Sequence, residues 1–184
     1  MRKSRKNQYK KLRIHTFSDG QAADIFSYQA RYIADGLRAF YKMHRTSISP
    51  NNIFEHFCKK HNITSSYESI HEHPEAYAAA EKEARAYWDD ILRKMIYAFK
   101  QIALDYPDSP HSLWFDKAYK EHVAAGKPTI FEKTTKLPDG SYVTSSTLNL
   151  PETPKAIWEE ERNYYRKIKQ GTRLYGKYFQ DLWD

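Results

Sequence analysis

A single cysteine, Cys58, in 184 residues excludes an internal disulfide and fits a reducing compartment. The six glycines are scattered, with no G-x-G-x-x-G or Walker spacing, so no backbone loop is set up to cradle phosphates and nucleotide hydrolysis is not expected. A G-x-S-x-G elbow is missing too, which removes the usual seat of a hydrolase serine. No run approaches the ~18 apolar residues that a membrane span needs, and the first residues are charged rather than apolar, so neither a span nor a signal peptide is expected. A cytosolic setting follows as the expectation, and it makes the sequon Asn62-Ile63-Thr64 inert. Internal repeats and low-complexity stretches are absent. A chain of this length fits one domain and buries roughly 70% of the surface it exposes when unfolded.

Acids are missing from the first thirteen residues, and bases are not. Arg2, Lys3, Arg5, Lys6, Lys10, Lys11 and Arg13 give seven positive charges there. Removing these seven from the 30 basic residues leaves 23 against 23 acidic ones, so the net charge of +7 sits wholly in a basic arm spanning 1–17. Arms of this kind bind nucleic acid or acidic surfaces by releasing counterions; a solvated tail that aids solubility is the alternative.

What the rest of the chain has is helical periodicity. From Ala23 to His44, Phe26, Ala30, Ile33, Leu37, Phe40 and Tyr41 recur at steps of three and four, with Ser18 and Asp19 as capping oxygens upstream. Ser49-Pro50 reads as a cap followed by a first-turn proline, opening a short helix with Ile53, Phe54, Phe57 and Cys58. The polar stretch Asn62 to His73 reads as a loop. Pro74 opens the longest helix, whose stripe runs from Tyr77 and Tyr87 through Met95 and Phe99 to Ile102; Glu81/Arg85, Asp89/Arg93 and Asp90/Lys94 stand four apart on its other face. Ser109-Pro110 starts a fourth helix ending near Gly126, and Thr153-Pro154 a last one carrying Ile157, Tyr164, Tyr165, Ile168, Tyr175, Phe179 and Leu182 on one side. Between them, Thr129 to Lys136 and Ser141 to Leu148 flank the turn Leu137-Pro138-Asp139-Gly140 and read as a β-hairpin. Two strands alone are marginal, so the hairpin is expected to lean on the helices or on another molecule. The fold class is therefore mainly α: one helical domain over 18–184, a bundle of about five helices, with one inserted β-hairpin at about 128–149.

Two segments carry a resemblance. Trp88 to Phe99 has the form W-x-x-x-L-x-x-M-I-x-A-F, and Gly171 to Asp184 the form G-x-x-L-x-x-K-Y-F-x-x-L-W-D. With the early amphipathic helix, they resemble a family of small proteins encoded by tailed bacteriophages, for which no agreed activity carries over. The likeness covers about half of the chain, mostly at apolar positions, and speaks for fold more than for function. The chain departs from the family pattern at Ile25-Phe26, at Leu174-Tyr175 and in the hairpin, which reads as an insertion. The resemblance implies a viral accessory protein, acting in a bacterial host cytoplasm or in a virion.

His56, Cys58, His61, His71 and His73 invite a metal reading, but His56 and His61 are five apart, about 140° round a helix, and only Cys58 and His61 share a face. No metal site and no cofactor are expected. Lys59 and Lys60 would activate the Cys58 thiol only if it were exposed. Asp89 and Asp90 have basic partners one turn on and read as a surface ion-pair set rather than as acid-base catalysts. The tyrosines Tyr77, Tyr87, Tyr164 and Tyr175 read as core, whereas Tyr9 among the arm's lysines would stack on bases.

The last helix holds the strongest functional pattern. Arg162, Arg166, Lys169, Arg173 and Lys177 fall within about 80° of one another, nearly opposite the apolar stripe, with Glu159 the one acid near the line. A solvated face is again the alternative. The expectation is a non-enzymatic phage protein that binds a polyanion, nucleic acid or a nucleotide-type ligand that it sequesters, through the arm and this stripe. An inhibitor or adaptor docking on a host-defence or virion protein is the rival, and a metal-dependent enzyme built on the His/Cys cluster the second. Trp183, off the main apolar line, suits an edge or a subunit interface, which leaves a homo-oligomer open.

Overall fold

The computed structural model describes residues 25–43 and 49–182, so the basic arm, the caps Ser18 and Asp19, and Trp183 lie outside the described residues. Six α-helices and one hairpin follow in order: α1 (Ile25–Met43), α2 (Asn51–Lys60), α3 (Tyr67–Glu72), α4 (Pro74–Ala103), α5 (Pro110–Ala124), β1 (Ile130–Lys136), β2 (Tyr142–Leu148) and α6 (Lys155–Tyr178), then a 3₁₀ turn at Gln180–Leu182. The fold is mainly α, as the periodicity indicates. α4 is the axis, and α1, α2, α3 and α6 all pack on it, whereas α5 packs on α6.

The apolar stripe of α4 explains that role. Ala80, Ala84, Trp88, Ile91, Leu92, Met95, Ala98, Phe99 and Ile102 are all buried, at the three-and-four spacing that wraps a face around a helix. Small residues set the closeness of the α4–α6 crossing. A Cβ added at Gly171 would lie 2.3 Å from the Lys94 carbonyl oxygen and 2.5 Å from Ala98 Cβ, so only glycine permits this approach. Aromatic edges close the seam on either side: Trp88 meets Tyr178 with centroids 5.4 Å apart, and Phe99 meets Tyr175 at 4.9 Å. The last described turns are thus held largely by the core, with Tyr175 and Leu182 packed against it.

Helix ends follow one device. In α2, α4 and α5 the residue two past the last turn is left-handed, namely Asn62 (φ 56°), Asp105 (φ 54°) and Gly126 (φ 66°). The next amide then reaches back to the third-last carbonyl: Ile63 to Cys58 at 3.0 Å, Tyr106 to Gln101 at 2.7 Å and Lys127 to His122 at 3.3 Å. At the start of α5, Ser109 Oγ accepts from the Ser112 amide, with Pro110 at the first position, as its sequence indicates.

The structure corrects several expectations. The stretch read as a loop contains α3, a turn and a half whose buried Ser69 meets Thr64 Oγ1 at 2.7 Å; it has too few apolar residues to show a period. At α2 and α6 the prolines Pro50 and Pro154 stand at the cap itself, in extended conformation, and the helix begins one residue later. Arg93 does not join Asp89 but donates to the Tyr41 hydroxyl at 2.9 Å; Glu81–Arg85 and Asp90–Lys94 do pair, at 2.7 and 2.5 Å. Four residues assigned to apolar stripes are exposed: Phe26 by 61%, Tyr87 by 47%, Tyr165 by 45% and Phe179 by 43%. Each lies at the margin of its stripe or in an end turn, where packing covers only part of the side chain. The hairpin does not lean on the helices, since every residue of both strands is exposed. No described helix is long and apolar enough to cross a membrane.

Candidate functional site

α6 is amphipathic in an unusual way. Its inner face buries Tyr164, Ile168, Gly171 and Tyr178, and it also buries a carboxylate, Glu161. That acid sits on the apolar line four residues after Ile157 because it caps another helix. Its oxygens accept from Ser109 Oγ at 2.9 and 3.0 Å and from the His111 amide at 3.0 Å, filling orphan donors at the start of α5 with charge of the favourable sign. Nearby, the buried Tyr164 hydroxyl donates to Gln101 Oε1 at 2.8 Å, and Gln101 Nε2 donates to Asp108 at 2.6 Å. Burial, then the neighbouring Tyr97 and Asp108, push the Tyr164 phenol well above its ordinary value. α6 is therefore pinned in rotation by a polar network as well as by packing.

Pinning the inner face fixes the outer one. Arg162, Arg166, Lys169, Arg173 and Lys177 are all exposed along that side, over ~22 Å by helical rise. Arg162 lies 3.9 Å from Glu159, a loose exposed pair. Arg166, Lys169 and Arg173 have no ion pair or side-chain hydrogen bond among the described residues. Lys155, which the spacing of the stripe does not single out, is exposed at the first turn of α6 and shares the same angular sector, so it lengthens the line.

At its far end the line meets a cleft of about 340 Å³ between α2, α4 and α6, lined by Asn52, His56, Phe57, Tyr87, Lys177 and Tyr178. Lys177 Nζ lies 4.7 Å from the centre of the Tyr178 ring, and its interaction with that phenol holds the ammonium above its ordinary value. Phe57 and Tyr87 meet edge to face at 5.8 Å. Aromatic walls beside a cation, an imidazole and an amide form a setting in which a nucleobase and its phosphate would both find partners. Sequence reasoning missed this cleft, because its residues come from three helices far apart in the chain. A larger groove of about 370 Å³, between α1 and the end of α6, is lined by Tyr32, Ile33, Phe40, Tyr175 and Phe179 and offers no cation.

The other candidate chemistries disperse. Cys58 is 1% exposed, and burial, aided by the Glu55 carboxylate, pushes its thiol up, so Lys59 and Lys60 do not activate it. His61 meets Glu83 at 3.2 Å, while the same carboxylate takes Lys60 Nζ at 2.6 Å and is held below its usual range mainly by that bond. His71 stacks edge-on against Tyr67, 4.9 Å between centroids. Among the described residues no three His, Cys, Asp or Glu side chains gather closely enough to hold a metal ion. No protein-family model, no curated protein and no solved structure matches the chain.

Proposed function

We propose that this protein is a non-enzymatic, nucleic-acid-binding accessory protein, of phage origin and acting in the host cytoplasm or virion, that tracks a phosphate backbone along the outer face of α6. The observation that carries this reading is the run Arg166, Lys169 and Arg173: three exposed cations on one line, none neutralised by a described acid, on a helix whose opposite face is fixed. Phosphate contacts position a nucleic acid without reading its sequence, so little base preference is expected along the stripe. The cleft at Lys177 supplies a place for one unstacked base against Tyr87 or Phe57, which favours single strands over duplex. The basic arm from Arg2 to Arg13 would add contacts of the same kind. The best-placed titratable groups are committed to structure, Glu161 to the start of α5 and Glu83 to Lys60, which supports binding rather than catalysis.

The test is an anisotropy titration of a labelled single-stranded oligonucleotide at low salt, with a mononucleotide as competitor. The oligonucleotide should bind, Arg166→Glu, Lys169→Glu and Arg173→Glu together should abolish binding without lowering the melting temperature, and the mononucleotide should compete only weakly. A mononucleotide that competes as well as the oligonucleotide would move the function to the cleft alone. Absence of binding of either would leave the stripe as a solvated or protein-docking face.

A further inference from the structure

The hairpin is the part of the molecule that the helices leave unused. All fourteen strand residues are exposed, and Ile130, Phe131, Tyr142, Val143 and Leu148 are each at least 50% exposed. Its strands pair without a bulge from Ile130↔Leu148 to Lys136↔Tyr142. A lone two-stranded ribbon that buries nothing is marginal in water, and three or more strands are not.

The two outer edges differ in a way that selects one of them. β1 carries Glu132, Lys133 and Lys136, and charges on an edge strand are the common means of blocking further pairing. β2, Tyr142-Val143-Thr144-Ser145-Ser146-Thr147-Leu148, carries no charge and no proline. Its free backbone groups can be assigned. The Asn149 amide donates to the Thr129 carbonyl at 2.9 Å and the Leu137 amide to the Ser141 carbonyl at 2.8 Å, so odd-numbered residues of β2 face β1 in the alternating antiparallel ladder. Tyr142, Thr144, Ser146 and Leu148 therefore aim N–H and C=O outward.

We infer that this edge pairs with the same edge of a second copy, β2 against β2 antiparallel about a two-fold axis at Ser145, making one four-stranded sheet. The strand is self-complementary about that point. Tyr142 falls opposite the partner's Leu148, apolar against apolar; Val143 opposite the partner's Thr147, both β-branched; Thr144 opposite the partner's Ser146, both hydroxyls; and Ser145 opposite the partner's Ser145. Such pairs stabilise antiparallel sheets, and Thr134 already meets Thr144 this way inside the hairpin, Oγ1 to Oγ1 at 3.1 Å. A strand without charge also meets its own copy with no like-charge opposition, and an isologous contact closes at two copies rather than growing into a filament. The inference stands apart from the nucleic-acid reading and does not need it.

The register makes the test specific. Under two-fold pairing the Ser145 positions form a non-hydrogen-bonded pair with Cα atoms about 4.5 Å apart, within disulfide reach. In full-length protein, Ser145→Cys under mild oxidation should run mostly as a covalent dimer, while Glu132→Cys on the charged edge should stay mostly monomeric; Cys58, 1% exposed, takes no part. By sedimentation the natural chain should show twice its 21.8 kDa mass. Ser146→Pro, which removes one outward N–H and leaves the β1–β2 ladder whole, should return it to the single mass with an unchanged helical spectrum. A natural chain that sediments as a monomer at every concentration, equal cross-linking at both edges, or a dimer that survives Ser146→Pro would each overturn the inference.

Discussion

The two longest helices present charge to solvent in opposite ways. On α4 the outward charges are of both signs and several find partners, Glu81 with Arg85, Asp90 with Lys94, and Arg93 with the Tyr41 hydroxyl. On α6 the line is basic apart from Glu159, which meets Arg162 loosely, and its middle three members have no partner among the described residues. Both helices anchor their inner faces in the same core, so packing does not account for the contrast. α4 shows what a merely solvated face looks like in this chain: mixed charges at i, i+4 spacing, worth a few tenths of a kcal/mol each. α6 forgoes those pairs and keeps like charges within one turn of one another, an arrangement that an anion would relieve.

The contrast can be sharpened where the helices meet. Phe99→Ala, in the seam, should destabilise by roughly 3–5 kcal/mol in denaturant melts, whereas Phe179→Ala, 43% exposed just past the last turn of α6, should cost about 1 kcal/mol or less. Equal losses would mean that the end of α6 is as much core as the α4–α6 seam. Gly171→Ala should cost up to about 3 kcal/mol, because a methyl 2.3 Å from a backbone oxygen has to push α6 off α4. A neutral result would show that the crossing is loose enough to admit a methyl.

Next in size is the polar network that fixes the rotation of α6. Glu161→Ala strands the Ser109 hydroxyl and the His111 amide and should cost about 1–3 kcal/mol, with hydrogen exchange rising first in α5. The buried Tyr164 phenol adds a pH signature. Its folded pKa is raised above the ordinary 10.0, so the folded state holds the proton more tightly than the unfolded one. Its contribution is whole below pH 10 and declines as the pH rises above that value. Stability against pH should therefore turn down above pH 10, and Tyr164→Phe should flatten that decline; an identical slope in both would place the alkaline sensitivity elsewhere.

Much of this was legible in the sequence where a single helix carries the information. The stripe of α4 and the basic line of α6 follow from residue spacing alone, since 3.6 residues per turn fixes which side chains share a face. Glu161 was legible in principle, as an acid on an apolar line that must find a partner. Helix ends at Asn62 and Asp105 were not, because a left-handed residue other than glycine leaves no compositional mark, while Gly126 did. The exposure of Tyr87 depends on which side α2 packs, and the cleft at Lys177 on three helices converging, neither of which spacing encodes. The hairpin's strands and turn were plain, with Gly140 at φ 87° and Asp139 accepting from the Ser141 amide at 3.0 Å, but its detachment from the helices was not.

The most direct test of the contrast between the two helices is the salt dependence of single-stranded DNA binding by the natural chain and by a variant carrying Arg166→Gln, Lys169→Gln and Arg173→Gln. Removing one cation that neutralises a phosphate should lower the slope of log K against log salt by about 0.7, so the variant's slope should be shallower by about 2, with stability unchanged within about 0.5 kcal/mol. An equally steep slope in the variant would contradict the assignment of phosphate binding to the outer face of α6.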